Sequence, residues 1–303
     1  GPRKIHGRPV PRLGGLAIFG AAALTVGAFL EPKVVREGLA ILSGGAIVAV
    51  VGFLDDMGRL HSQIKLFFAM PLAGAVLITA GIYAAVTPWT VVNYGITLLW
   101  FVGVICAFNL LDGMDGLAAG VAAIAALYFL VLAALSHQAL VGLFAAAALG
   151  VSVGFLFYNF YPARIFMGDG GAMFLGLLMA ALGLKIRLPD VPASVHWVLP
   201  ILVLGVPIFD TTLVTVSRLR RGLIPFASPG KDHTFHRLYR LGWRQRWIVL
   251  LLYGFGIFFG AIAVGLVALR VSPVGWRASG PSFCSRGSPS SGRRACRGGR
   301  SSR

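Results

Sequence analysis

The sequence predicts an all-α, polytopic membrane helix bundle, and three observations carry that prediction. Of 303 residues, 57% are hydrophobic and only 12% charged, and the mean hydropathy is +0.82, more apolar than a water-soluble surface accommodates. The apolar residues fall into nine stretches, each close to the roughly 20 residues that cross ~30 Å of hydrocarbon as a helix. Basic residues divide unequally between alternate gaps, as cytoplasmic and external loops do.

The nine stretches run over 13–30, 38–54, 64–86, 95–111, 117–135, 139–157, 170–186, 195–216 and 247–269. Helix is the expected state of each, because an open backbone cannot satisfy its hydrogen bonds in lipid. The first, with Gly20-Ala21-Ala22-Ala23, and the sixth, with Ala145 to Gly150, carry small residues that let membrane helices approach closely. The second ends on Gly52-Phe53-Leu54-Asp55-Asp56, and the fourth on Asn109-Leu110-Leu111-Asp112-Gly113-Met114-Asp115-Gly116. The seventh opens on Gly168-Asp169-Gly170-Gly171. A basic loop joins the eighth to the ninth. From Val271 the chain is rich in Gly, Ser, Pro and Arg with no Lys, Asp or Glu, a composition that reads as disordered and resembles a GC-rich gene translated out of frame. The expected organisation is a membrane domain over 1–270 and a tail over 271–303. Gly1 opens directly into a basic loop, without an initiator Met or a preceding apolar segment, which predicts truncation at that end.

The formal charge of +17 comes from 27 basic against 10 acidic residues, and eight arginines lie between Arg270 and Arg303. Without them the charge is 17 − 8 = +9, dispersed in loops rather than patched on a folded domain, so no nucleic-acid partner is expected. Cys106 stands alone in an apolar run and Cys284 and Cys296 lie in the tail, so neither a disulfide nor a cysteine metal site is expected. One set of loops carries Arg3, Lys4, Arg8, Arg12, Arg59, Lys65, Arg164, Arg218, Arg220, Arg221, Lys231, Arg237, Arg240, Arg244 and Arg246; the other carries Lys33, Arg36, Lys185 and Arg187. Fifteen against four makes the first face cytoplasmic.

Asp55, Asp56, Asp112, Asp115, Asp169, Asp210 and Asp232, seven of the eight aspartates, map to that same face. Orientation statistics do not require this, and an aspartate inside the bilayer costs ~2.5–3.5 kcal/mol. Neighbouring carboxylates about 4 Å apart, as in Asp55-Asp56, repel by roughly 4 kcal/mol at an effective dielectric of 20, and a divalent cation relieves that repulsion. Asp112 and Asp115 are expected to share one face of a helical turn. Asp169 opens a helix whose free N–H groups can receive phosphate oxygens. An oxygen-only ligand set favours Mg²⁺, or Mn²⁺, over zinc. Taken singly, an Asp-Asp pair is ordinarily a solvated helix end and Asp-Gly ordinary turn chemistry; it is their convergence that points to function. The Asp112 stretch lacks the spacing and terminal Glu of a calcium loop. His233 and His236 have zinc-pair spacing but no Glu after the first, and beside Lys231 and Arg237 they read as phosphate donors.

These residues also carry a resemblance. Arg3-Lys4-Ile5-His6 with Pro11-Arg12-Leu13-Gly14-Gly15, Gly52 to Asp56 with Lys65, Asn109 to Gly120, and Asn159-Phe160-Tyr161-Pro162-Ala163 into Phe166 to Gly171 resemble, in order, the cytoplasmic motifs of the polyprenyl-phosphate N-acetylhexosamine-1-phosphate transferases. The match spans about residues 1–245. It implies a multi-pass protein of the bacterial inner membrane with its active site on the cytoplasmic face. The implied reaction takes an N-acetylhexosamine 1-phosphate from a UDP-sugar to polyprenyl (undecaprenyl) phosphate and releases UMP, at the start of cell-envelope polysaccharide synthesis such as lipopolysaccharide or teichoic acid. Such members have ten or eleven spans, so the first is expected to be missing here. A homodimer is compatible with this reading.

Residue by residue, the resemblance implies Asp169 as the principal Mg²⁺ ligand and Asp55 and Asp56 as the pair that handles lipid phosphate or metal, Asp56 being the second candidate ligand. Asp112 and Asp115, with Asn109, fall at sugar-nucleotide or metal-shell positions. Asn159 and Phe166 fall at uridine contacts, and Lys4, Arg12 and Lys65 at phosphates. The family's last cytoplasmic loop usually reads His-x-His-His, whereas this chain has His233-Thr234-Phe235-His236-Arg237; the outer histidines with Arg237 are expected to suffice. The run of three histidines followed by Glu that marks the phospho-MurNAc-pentapeptide transferase branch is absent, which favours the GlcNAc-type donor. A cation transporter, the competing class, would line a path through the bilayer with its acids. A CDP-alcohol phosphotransferase would need an Arg and further Asp spacing that Leu117 to Leu127 lacks.

Overall fold

The computed structural model describes residues 13–60, 62–188, 193–223 and 232–271, and among these every regular element is a helix. In order they are α1 (Gly14–Phe29), α2 (Val35–Asp56), α3 (Ser62–Ile64), α4 (Met70–Thr79), α5 (Thr90–Leu111), α6 (Leu117–Leu135), α7 (Ala139–Asn159), α8 (Gly168–Lys185), α9 (Ala193–Val203), α10 (Gly205–Leu219), α11 (Thr234–Arg240) and α12 (Gln245–Val271). Among the described residues, α2, α5, α6, α7, α8 and α12 are long and apolar enough to cross a membrane. The chain is a multi-pass membrane protein. Gly1–Leu266 forms one compact unit; of the second, Val267–Arg303, only Val267–Val271 is described. Residues 1–12 and the tail beyond 271 lie outside the described residues.

All nine expected stretches contain helix, but three depart from simple spans. The first and third give the shorter helices Gly14–Phe29 and Lys65–Thr79. The third stops at Thr79 rather than 86, with a non-helical run from Ile82 to the start of α5. The eighth is broken: α9 and α10 meet at an angle of 81°. Pro207 lacks an amide hydrogen, and its ring would strike the carbonyl four residues back, on Val203, so the helix breaks at Leu204. Pro71 has a comparable effect. Just before it the backbone widens into a π-helical stretch, Lys65–Ala69, linking α3 to α4.

α8 is the hub. Of its membrane-length window, 89% is buried inside the protein, and α1, α2, α5, α6, α7 and α9 all pack on it. Glycines allow this: Gly15 of α1 abuts the backbone of Gly171, and Gly52 of α2 abuts Gly170. At the far end of the bundle Lys185 of α8 pairs with Glu37 of α2 at 2.8 Å. The two helices are therefore antiparallel, and the N-terminal end of α8 meets the C-terminal end of α2.

Candidate active site

α2 ends on its two aspartates because the turn after them closes the helix. Gly58 adopts φ +71, and the backbone hydrogen bonds Gly58 N–H to Asp55 O (2.8 Å) and Arg59 N–H to Leu54 O (3.1 Å) terminate the winding there. That fixes Asp55 and Asp56 at the last turn. Asp56 Oδ2 accepts the backbone N–H of Asp169 at 2.8 Å, so it caps the first turn of α8, where negative charge is favoured.

Lys65, at the start of the π-helical stretch, is the centre of the cluster. Its Nζ donates to Asp55 Oδ2 at 2.6 Å and to Asp169 Oδ2. One cation thus joins carboxylates from α2 and α8. The π winding re-aims the side chains along it, and such irregularities recur at functional sites. Asn109, on the last turn of α5, flanks Asp169, and its Nδ2 is buried without a full hydrogen bond. The stretch 55–65, the end of α5 and the start of α8 therefore supply one polar cluster, which takes in Asp55, Asp56 and Asp169 of the seven aspartates.

Asp112 and Asp115 do not share a helical turn. α5 stops at Leu111, Asp112 is its C-cap, and α6 begins only after Gly116, which has φ +79. Asp112 is half-buried at the mouth of this turn. Asp115 is buried, and its Oδ2 accepts the Ala163 N–H at 3.0 Å. Asn159 is 2% exposed; its Oδ1 accepts the Gly116 N–H at 2.9 Å and its Nδ2 donates to Ile165 O at 3.0 Å. Both ends of its amide bond to backbone, so Asn159 pins the 160–166 loop to the start of α6. Phe166 is half-buried, three residues before Asp169 in the chain, and its carbonyl accepts the Gly14 N–H at 3.2 Å.

The loop before α12 docks on the same turn. Phe235 is 1% exposed and belongs to a core with Leu111, Met114, Leu117, Val121, Val206, Ile248, Val249 and Leu252. A Cβ on Gly113 would lie 2.6 Å from its ring, so Gly113 is the floor on which Phe235 rests. Phe235 therefore replaces a polar residue with an apolar plug that fastens α11 to the turn between Asp112 and Asp115. Putting histidine there buries an imidazole in a hydrocarbon socket, at a cost of about 1–3 kcal/mol. Phe235→His is expected to lower the thermal midpoint without raising turnover; a gain in turnover would show that the ring position is catalytic.

His233, 5% exposed, contacts Asp210 of α10, and His236 lies with its ring centroid 6.2 Å from that of His233. Arg237 turns back, its Nε donating to Asp232 O at 2.8 Å. Asp232 bridges Arg221 (2.8 Å) and Arg218 (3.3 Å) of α10. The hydrogen bond from Arg221, opposed by slight burial and seconded by Arg218, holds the Asp232 carboxyl below the usual carboxylate range. Sequence reasoning assigned no role to Asp210 or Phe235. The signal for Asp210 was its place in an apolar run, where a carboxylate needs a partner; for Phe235 it was the missing middle histidine, which marked the position without giving its role. Lys4, Arg12, His6 and Lys231 lie outside the described residues.

Among the described residues no group of three His, Cys, Asp or Glu side chains converges closely enough to hold a metal ion by itself. Two carboxylates do converge on one cation, and the nearby donors are all oxygen or amide. That set fits Mg²⁺, which uses one or two carboxylates and leaves its other positions to water and substrate phosphate.

Residues 39–187 match the family model described as glycosyl transferase family 4. The chain is similar to a probable undecaprenyl-phosphate N-acetylglucosaminyl 1-phosphate transferase of Bacillus subtilis, with 37% identity over 89% of this chain and 76% of that protein. It is similar to the decaprenyl-phosphate N-acetylglucosaminephosphotransferase of Mycolicibacterium smegmatis, with 34% identity over 87% of this chain and 72% of that protein. A phospho-N-acetylmuramoyl-pentapeptide-transferase of Desulforudis audaxviator matches at 32% identity over 88% of this chain and 87% of that protein. The matched region takes in the ends of α2, α5 and α8 that build the Lys65 cluster, and with relatives this extensive the chain belongs to glycosyl transferase family 4.

Proposed function

We propose that this protein transfers N-acetylhexosamine 1-phosphate, with GlcNAc 1-phosphate preferred, from a UDP-sugar to polyprenyl phosphate and releases UMP. The observation that carries the reading is the Lys65 ammonium held between Asp55 and Asp169, with Asp56 on the first amide of α8. An oxygen of the lipid phosphate forms a bond to the β-phosphorus of the UDP-sugar. The bond from that phosphorus to the bridging oxygen breaks, and its electron pair leaves with UMP. Two anions must meet for this to happen, so the residues act by neutralising charge and aligning the phosphates. Lys65 supplies a fixed cation, Asn109 an amide with unspent donor capacity, and His233, His236 and Arg237 a basic wall on the docked α11 loop. Mg²⁺, held by Asp169 with Asp56 or Asp55, would neutralise the phosphate oxygens as charge shifts to the leaving group. The basic excess of the loops at this end supports a cytoplasmic site in a bacterial plasma membrane.

The Desulforudis relative favours one second reading, transfer of phospho-MurNAc-pentapeptide. Membranes containing the protein, given polyprenyl phosphate and either radiolabelled UDP-GlcNAc or UDP-MurNAc-pentapeptide, separate the two by the lipid product formed. UMP release is expected with the first donor, to stop on chelation and to return with Mg²⁺. Turnover that survives chelation would remove the metal from the reaction. Ion flux without a lipid product would favour a transporter.

A further inference from the structure

Asp210 lies on α10, beyond the break at Leu204, and is 3% exposed. Both of its oxygens reach the loop that opens α11. Oδ2 is 2.7 Å from His233 Nδ1, and Oδ1 accepts the Thr234 N–H at 2.7 Å. A carboxylate in such contact is an acceptor, so the proton of this bond sits on Nδ1 and the ring acts through Nε2. The imidazole face is fixed as well. It stacks on Phe235 with centroids 5.3 Å apart and planes 12° from parallel, and Phe235 is seated on Gly113, between Asp112 and Asp115. One edge and one face of the ring are thus held by groups that are themselves buried.

We infer that Asp210 is a positioning residue for phosphate transfer: it sets the rotamer and tautomer of His233, so that Nε2–H donates to a phosphate oxygen of the nucleotide-sugar or lipid substrate. The inference rests on the transferase reading. A carboxylate that orients an imidazole in this way need not touch substrate, yet its loss misdirects the ring and typically costs on the order of 10- to 100-fold. Asp210→Asn suits the test because its amide oxygen can still accept the Thr234 N–H, which leaves the loop tied to α10 while the imidazole loses its anionic partner.

A double-mutant cycle on the full chain in membranes tests it, with kcat and KM for UDP-GlcNAc read from UMP release in the parent, Asp210→Asn, His233→Ala and the double variant. Asp210→Asn is expected to lower kcat/KM by roughly 10- to 100-fold at unchanged protein level, and to add nothing in the His233→Ala background. Undiminished loss in that background would overturn the inference, because Asp210 would then act independently of His233. So would disappearance of the folded Asp210→Asn chain on size-exclusion chromatography, which would assign Asp210 to stability alone. A parent that forms no lipid-linked sugar from any UDP-N-acetylhexosamine would sink the transferase reading and this role with it; an active parent with additive variants sinks only the role of Asp210.

Discussion

Asp169→Asn is expected to abolish UMP release, with a fall of at least about 10³-fold, or roughly 4 kcal/mol of transition-state stabilisation. The variant isolates charge from fold. Asp169 meets the end of α2 in two ways: Asp56 accepts its backbone N–H at 2.8 Å, which asparagine keeps, and Lys65 ties its carboxylate to that of Asp55, where asparagine keeps the shape and loses the charge. What changes is the balance around Lys65. Asp55, Asp56 and Asp169 together carry three negative charges against the one ammonium of Lys65, and removing one carboxylate halves the net negative charge that attracts a divalent cation. Protein level and thermal midpoint in detergent should therefore stay near those of the parent while turnover disappears. Unchanged turnover would remove Asp169 from the metal and phosphate chemistry.

The second large effect is expected at a residue with no chemistry of its own. Gly52 lies one turn before Asp55 and Asp56, where α2 crosses α8. A Cβ there would meet the Cα and N of Gly170 at 2.5 Å and the carbonyl carbon of Asp169 at 2.7 Å. All three are backbone atoms of α8, whose membrane-length window is 89% buried, and cannot swing aside. Gly52→Ala must push the end of α2 off the start of α8, carrying Asp55 and Asp56 away from Asp169 and Lys65. Overpacking of this kind costs about 1–3 kcal/mol, and an ångström of misplacement costs about 10²-fold in rate. Gly20→Ala is the control, since no atom lies within 4 Å of a Cβ at that position and alanine favours helix. A drop in both thermal midpoint and UMP release for Gly52→Ala, with neither for Gly20→Ala, is the expected pattern. Equal behaviour of the two would show that contact between α2 and α8 does not set the site.

Much of the active end was readable in order along the chain. Asp55, Asp56 and Asp169 announce themselves because carboxylates at the ends of apolar runs are costly and therefore few. The resemblance placed Lys65 at a phosphate; that it joins two carboxylates depends on the winding before Pro71, which a hydropathy pattern does not encode. Asp112 and Asp115 were legible as residues but not as geometry. Helical periodicity was extended across Gly113 and Gly116, where the backbone instead turns.

The apolar runs determined that this chain crosses a membrane as a helical bundle, and the charge between them determined that its acids crowd one end, because burial and insertion energies depend on residue type and spacing alone. Which acid meets which partner was decided by tertiary packing. Asn159 and Asp115 were drawn into backbone hydrogen bonds, Phe235 was seated on Gly113, and Asp210 was aimed at a histidine 23 residues away. The physical reason is that hydrogen bonds act over about 3 Å, a scale at which helix crossing, proline breaks and glycine contacts settle the outcome and sequence separation does not.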